Sequence, residues 1–202
     1  YQSFFFPLTY EGVREIKWTG YTQGLFLDTF GNLREDTDAD GVADKVSVFA
    51  DGMTLATALL VGNGGVYVGE APHLWFLEDT DGDGRADKKT EVLNGFGHED
   101  RHELLNGFTW GPDGQIYMTH GVFTISKAKD PSKPDAKPVL LTAGVARLDP
   151  GTRKFEVFAE GTSNPWGVAF DGEGSAFVSA CVIDHLWHLT ETGYYHRQGG
   201  RY

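Results

Sequence analysis

Two nine-residue stretches carry the densest set of hard oxygen donors in the chain. Asp36-Thr37-Asp38-Ala39-Asp40-Gly41-Val42-Ala43-Asp44 recurs 43 residues later as Asp79-Thr80-Asp81-Gly82-Asp83-Gly84-Arg85-Ala86-Asp87. Carboxylates at the first, third and fifth positions converge because such a loop winds around a point. Glycine at the sixth position permits the reversal, and Val42 or Arg85 at the seventh offers its backbone carbonyl. Asp44 and Asp87 at the ninth position can ligate directly or through water. An all-oxygen cage of this kind suits a hard divalent cation, calcium above all. The EF-hand pattern fails three residues further on, where Ser47 and Thr90 replace the bidentate glutamate, and no helical pattern flanks either loop. The expectation is a pair of calcium-type loops set between strands, clipping turns rather than forming a catalytic centre. The plainer alternative is an aspartate-rich turn without an ion, in which crowded carboxylates repel and raise each other's pKa.

A second kind of chemistry is offered by His98-Glu99-Asp100-Arg101-His102-Glu103, the densest ionisable cluster. Imidazole titrates near neutral pH, so His102 is a candidate general base toward a hydroxyl, and Arg101 is a candidate holder of an anionic group. The alternative is a solvated charged loop. His120 ends an apolar run, where a lone histidine more often serves as a hydrogen-bonded structural residue than as a ligand. Asn164-Pro165-Trp166-Gly167 opens another strand pattern, and its plainer reading is a turn with a packing tryptophan. His185 and His188 flank Trp187 and are a weak metal candidate. The single cysteine, Cys181, reads as a buried thiol.

The elements that must position these groups are short strands. Gly64 to Gly69, Gly114 to Thr119 and Gly174 to Ser179 each join a glycine turn to an alternating apolar and aromatic run. Upstream lie Phe108 to Gly114 and Trp166 to Gly172, each closing on a tight turn, with Pro112 and Asp113 suited to the centre of a type I turn. Downstream come His73 to Glu78, Gly144 to Asp149 and Asp184 to Leu189, then Glu91 to Leu93 and Lys154 to Phe158 as fourth strands. Four short antiparallel strands recurring with similar phrases predict an all-β fold, a β-propeller of four-stranded blades. A sandwich would give short strands without the recurring phrases, and no long segment shows helical periodicity. Residues 32–202 account for three to four blades, and residues 1–31 match the blade pattern poorly. Lys127 to Pro138, with three prolines and four lysines, reads as an inserted surface loop. The last residues show no strand that would close a ring, so an excerpt of a larger propeller is expected, with self-association invited by uncovered blade faces.

Composition narrows the partners. The chain holds 17 Lys+Arg against 29 Asp+Glu, a formal net charge of −12. That balance argues against nucleic acid or an anionic membrane surface. No run of 18 apolar residues marks a membrane span. One cysteine excludes an internal disulfide and a CxxCH haem site in this stretch. The chain starts at Tyr1 without a signal-peptide pattern, so a removed leader or an excerpt is expected.

Several of these phrases taken together resemble a known family. Asp79 to Asp87, Gly95-Phe96-Gly97, His102, Asn106, Trp110 to Gly114 and Asn164 to Asp171 resemble the membrane-bound dehydrogenase propeller domain of planctomycete-type bacteria. Such proteins often carry a c-type haem domain. That domain is similar to the sorbosone and soluble quinoprotein glucose dehydrogenases, which are six-bladed propellers. The resemblance implies a periplasmic or extracellular protein that oxidises a sugar or polyol with pyrroloquinoline quinone. It implies His102 as the base, with Arg101, Asn164 and His120 positioning cofactor or substrate. In the family an Arg-Asn-Pro phrase contacts the quinone; here Ser163 precedes Asn164-Pro165. Two other classes remain open: a calcium-stabilised module binding carbohydrate or protein without turnover, and a metal-dependent hydrolase or lactonase on the same scaffold.

Overall fold

The computed structural model describes residues 24–27, 32–36 and 45–199, with side chains from residue 48 onward. Strands β1 (Gly24–Leu27), β2 (Asn32–Asp36) and β3 (Lys45–Val48) form an antiparallel sheet. A second sheet runs in chain order through β4 (Ala58–Gly62), β5 (Gly65–Glu70), β6 (His73–Glu78) and β7 (Lys88–Asn94). The third begins with β8 (Asn106–Trp110) and β9 (Ile116–His120). A small hairpin of β10 (Ser126–Ala128) and β11 (Val139–Leu141) follows, and the sheet resumes with β12 (Gly144–Leu148) and β13 (Phe155–Thr162). The fourth comprises β14 (Asn164–Phe170), β15 (Ala176–Cys181) and β16 (Leu186–Leu189). Finally β17 (Tyr194–Arg197) pairs in parallel with the end of β13, at the outer edge of the third sheet.

Burial explains why the sheets stack. Every residue of β9 is buried, so both faces of that strand are covered. Ile116 and Met118 face one core, shared with Leu60, Leu74, Leu93, Leu105 and Phe108 of the preceding elements. Tyr117 faces the opposite way, into a second core with Phe158, Val168, Val178 and Leu189. The same alternation sends Ala146 and Leu148 of β12 to the first core and Val145 to the second. A third core lies on the far side of β5, where Val66, Val68 and Leu77 pack against Phe49 and Met53. Cores thus lie on both faces of the second and third sheets, and each is filled from both sides by the period-two alternation of strands. The first strands adjoin one another, β4 beside β8 and β8 beside β14. Trp110 Nε1 of β8 donates to the Val61 carbonyl of β4 at 2.9 Å, and Thr57 Oγ1 donates to the Leu105 carbonyl at 2.6 Å. Face-packed antiparallel sheets joined at their first strands make this an all-β propeller, as the recurring phrases predict. Among the described residues no helix is long and apolar enough to cross a membrane.

Strand direction then sorts the connections onto two faces. The β5–β6 turn, the β7–β8 connection (residues 95–105), the β9–β12 insert and the β13–β14 and β15–β16 junctions share one face. The β4–β5, β6–β7, β8–β9, β12–β13 and β14–β15 turns share the other. The histidine-bearing cluster is on the first face and the Asp79–Asp87 loop on the second.

Four details differ from the sequence expectation. The Lys127 to Pro138 segment is not all loop: Ser126–Ala128 pairs with Val139–Leu141, leaving residues 129–138 between them. The proline and lysine content hides strands only three residues long. The first sheet starts at Gly24, ahead of residue 32. Tyr194–Arg197, with no strand signal, adds to a sheet edge. Cys181 is an exposed free thiol rather than a buried one, because β15 runs out to the surface at its end.

Gly95 fixes the path from β7 into the histidine-bearing connection. Its φ is +101°, and a Cβ there would lie 2.2 Å from the Lys127 carbonyl oxygen. Gly95→Ala is expected to cost on the order of 3 kcal/mol, from left-handed strain plus backbone overlap. Gly52→Ala, at φ +74° with nothing within 4 Å, should cost only about 1 kcal/mol. Urea denaturation of the two variants measures the difference.

Candidate active site on the histidine face

The connection into β8 holds a histidine–carboxylate pair. His102 Nδ1 lies 2.9 Å from Asp100 Oδ1, and the His102 backbone N–H donates to the same oxygen at 3.0 Å. These hydrogen bonds, the backbone one first, hold the Asp100 carboxyl below the ordinary carboxylate range. With the Asp100 carboxylate accepting a hydrogen bond from Nδ1–H, the other ring nitrogen, Nε2, is directed outward. The His102 side chain is 93% exposed, and the ring therefore projects from the face. Asp100 is itself fixed by the insert: its N–H donates to Thr124 Oγ1 at 3.2 Å, and Thr124 Oγ1 donates back to the Asp100 carbonyl. Asp100 as the orienting partner was not read from the sequence; its position two residues before His102 was the available signal.

Glu103, the next residue, points inward instead. It is 1% exposed, and Oε1 accepts from Asn106 Nδ2 at 2.8 Å while Oε2 has no hydrogen-bond partner among the described groups. Asn106 Oδ1 accepts in turn from Thr119 Oγ1 at 2.6 Å, joining β8 to β9 beneath the connection. Space for Glu103 exists because residue 121 is glycine: a Cβ there would lie 2.0 Å from Glu103 Cγ. Burial, reinforced by the Asp100 charge, pushes the Glu103 carboxyl up to about 8 against the Asn106 hydrogen bond that opposes it. At neutral pH this side chain is largely a carboxylic acid. A charge run reads as solvated, so nothing in the sequence marked Glu103 as the member that turns in.

The other expected residues lie on the same face with different environments. Arg101 is exposed and makes no ion pair among the described residues. His120 is fully buried; Nε2 lies 2.6 Å from Ser126 Oγ and Nδ1 3.0 Å from the Gly121 carbonyl. The carbonyl can only accept, so Nδ1 carries the proton and Nε2 accepts from Ser126. Burial holds this ring's pKa down to about 4. Neither nitrogen is free for a cofactor, and His120 anchors the insert to β9. Asn164 Oδ1 accepts from the Val122 N–H at 3.2 Å, tying the start of β14 to the insert. Ser163 is fully buried and donates to Gln198 Oε1 at 2.6 Å. Pyrroloquinoline quinone asks for cationic donors opposite its carboxylates. With Ser163 in place of a guanidinium and His120 committed to the fold, neither of these two positions supplies such a donor. His188 stacks on Phe177 with centroids 4.9 Å apart, and neither His185 nor His188 belongs to a metal-ligand cluster among the described residues. Two β-branched residues on this face, Thr162 and Val182, hold left-handed φ of +68° and +80°.

On the opposite face, ligand oxygens of Asp79, Asp81 and Asp83 lie within 4.8 Å of one another. Asp79 accepts from the Gly82 and Gly84 N–H groups at 2.7 and 2.8 Å, and the Gly84 bond above all lowers its pKa. The Arg85 N–H donates to Asp83 at 2.8 Å. Asp87 is turned to Thr80, with Oδ2 accepting from Thr80 Oγ1 at 2.7 Å, so the three-carboxylate cluster does not include it. Of the earlier loop, Asp38, Asp40, Val42 and Asp44 lie outside the described residues, and Asp36 is described only as the last backbone position of β2.

The family model described as "Domain of unknown function (DUF7133)" matches residues 28–200. The chain belongs to this family. No curated protein matches it. Among solved structures, this DUF7133 chain is similar to a Thermus thermophilus protein described as an oxidoreductase (glucose dehydrogenase). The TM-score is 0.59 at 21% identity, over 86% of this chain and 60% of the other. It is also similar to the holo PQQ domain of a pyranose dehydrogenase from Coprinopsis cinerea, with TM-score 0.55 and 13% identity, over 83% of this chain and 47% of the other. The chain therefore spans about half to three fifths of those structures. At these identities the likeness establishes the propeller fold.

Glu103 gives the site a measurable pH signature. Between its ordinary value of 4.5 and about 8, the folded protein keeps a proton that the unfolded chain releases. The stability this group contributes is complete below pH 4.5 and lost as the pH rises through 8, by on the order of 4–5 kcal/mol. Glu103→Gln removes that dependence. Thermal melts at pH 5 and pH 8 should show the variant gaining several degrees on the wild type between the two; an unchanged difference would mean that Glu103 is already ionised at pH 5.

Proposed function

We propose that this DUF7133 propeller serves an oxidoreductase of the sugar and polyol dehydrogenase class, with His102 as the base that takes a substrate hydroxyl proton. The observation that carries the reading is the Asp100–His102 pair. A carboxylate fixes one ring nitrogen at 2.9 Å and leaves the other lone pair directed outward, on the face from which the first strand β8 departs. A base held in one tautomer abstracts a proton more effectively than a freely tumbling ring. Proton removal is the chain's own part of the reaction. The two electrons must go to an acceptor that the described residues do not supply, and the fold's likeness to glucose and pyranose dehydrogenases is what favours a redox reading over the lactonase alternative. The non-catalytic binding module stands as the rival outcome.

Dye-linked oxidation of aldoses and polyols by the full-length protein tests this. His102→Ala should abolish dye reduction. Asp100→Asn should lower kcat by roughly tenfold or more, since the group that orients the ring is gone. Retained turnover in His102→Ala would remove the assignment.

The Asp79–Asp87 loop is proposed as a calcium clip for the β6–β7 turn, with Asp79, Asp81 and Asp83 as carboxylate ligands and the Arg85 carbonyl as a further donor. The loop pattern and the clustered oxygens support it, and extracytoplasmic calcium levels, in the periplasm or outside the cell, would fill such a site. Because an ion bound only by the folded loop stabilises the native state, chelation should lower the Tm by several degrees, with recovery on adding calcium. An identical melting curve with and without chelator would leave the loop as an ordinary turn.

A further inference from the structure

A groove of about 520 Å3 opens on the histidine face, one step outward from His102. Its lining includes Glu70 and Pro72 of the β5–β6 turn, His73 and Trp75 of β6, and His98 and Arg101 of the connection into β8. The one carboxylate in its lining, Glu70, and Glu91 beside it are already engaged, whereas Glu99, exposed between His98 and Arg101, lies outside the lining. Glu70 Oε1 accepts from the Thr54 N–H at 2.6 Å, and its Oε2 accepts from Trp75 Nε1 at 3.0 Å with Lys89 Nζ at 3.7 Å. Glu91 accepts from Asn94 Nδ2 at 2.6 Å and is paired with His73. The cationic and ionisable nitrogens are the groups left over. Arg101 and His98 have no hydrogen-bond or ion-pair partner among the described residues. Lys89 adds positive charge 4.1 Å above the Trp75 ring. In a chain of net charge −12, a concavity whose spare polar capacity is cationic runs against the global field, and it selects for an anion. Trp75, Pro72 and Leu104 supply apolar wall beside that charge, a combination that suits a ring with one hydrophobic face and a carboxylate at its edge.

We propose that this groove binds a carboxylate-bearing saccharide of one or two rings, of the uronate class, with Arg101 as the carboxylate anchor. The saccharide part rests on the sugar and polyol reading above; the anionic part rests on the groove alone. Arg101 reaches a carboxylate as a fork donor, a geometry that lysine does not reproduce.

Titration calorimetry at low salt with galacturonate and its disaccharide, against galactose and a small monocarboxylate such as acetate, decides the matter without any electron acceptor. The expected result is binding of the uronates, weakened roughly tenfold by Arg101→Ala, less by Arg101→Lys, and weakened again as salt is raised. Arg101 is exposed, so unchanged melting of Arg101→Ala provides the folding control. His102→Ala should leave uronate binding intact, which separates this site from the proposed chemistry: loss of turnover with retained binding supports both, and binding without turnover in the wild type supports the groove alone. Acetate binding as tightly as the uronates would keep the anion site and remove the saccharide. Equal affinity for galactose, no binding of the uronates, or no effect of Arg101→Ala would overturn the proposal.

Discussion

The two-sided burial of the middle strands is the constraint on which the structure depends. A strand such as β9, with all five residues buried, cannot exist unless one apolar layer covers Ile116 and Met118 and another covers Tyr117. That requirement forces sheets to stack on each other, and the twist of each sheet turns the stack about an axis. Once the stack is set, antiparallel connection leaves no freedom in where loops emerge. Residues 95–105 and the insert after β9 must share a face, because β7 and β9 both run toward it. The chemistry of His102 follows from that shared face, since Thr124 of the insert holds the Asp100 backbone that orients the ring.

The buried polar groups under that face act as fasteners. Ser126 Oγ serves both His120 Nε2 and the Gly97 N–H at 2.8 Å. Thr119, Asn106 and Glu103 form a second chain of hydrogen bonds beneath the connection. Each would be costly if left alone in the core, so their pairing ties loops to strands without adding apolar area there. The strained Thr162 and Val182 sit where two other connections meet the same face, which the packed strands around them must hold in place.

Much of the fold was legible because strand alternation and turn residues are local. His73 to Glu78 is read from sequence with its observed ends, and the recurring glycine turns place β5, β9 and β15 within a residue or two. The hairpin of Ser126–Ala128 with Val139–Leu141 was not legible, since three-residue strands carry no periodicity and their stability comes from pairing across a proline-rich span. The site was legible in part. His102 stands out by type, but its partner Asp100 and the inward turn of Glu103 depend on Thr124 and Gly121, some twenty residues away. His120 was ambiguous on sequence alone, and only the positions of Ser126 and Gly121 commit both its nitrogens. The groove was invisible for the same reason: its lining comes from segments about thirty residues apart that the sheet order brings side by side.

The separation of the two faces has an electrostatic corollary. Strands β6 and β7, of six and seven residues, stand between them, a span of about 20 Å at the usual rise per residue. Exposed charges that far apart are insulated from each other by more than two Debye lengths at physiological ionic strength, where that length is about 8 Å. The acidic pole can therefore lose or gain a divalent ion, or be re-engineered in charge, with little effect on the ionisation of the imidazole pole. One end of the molecule is free to answer to the ionic composition of its surroundings while the other answers to its ligand.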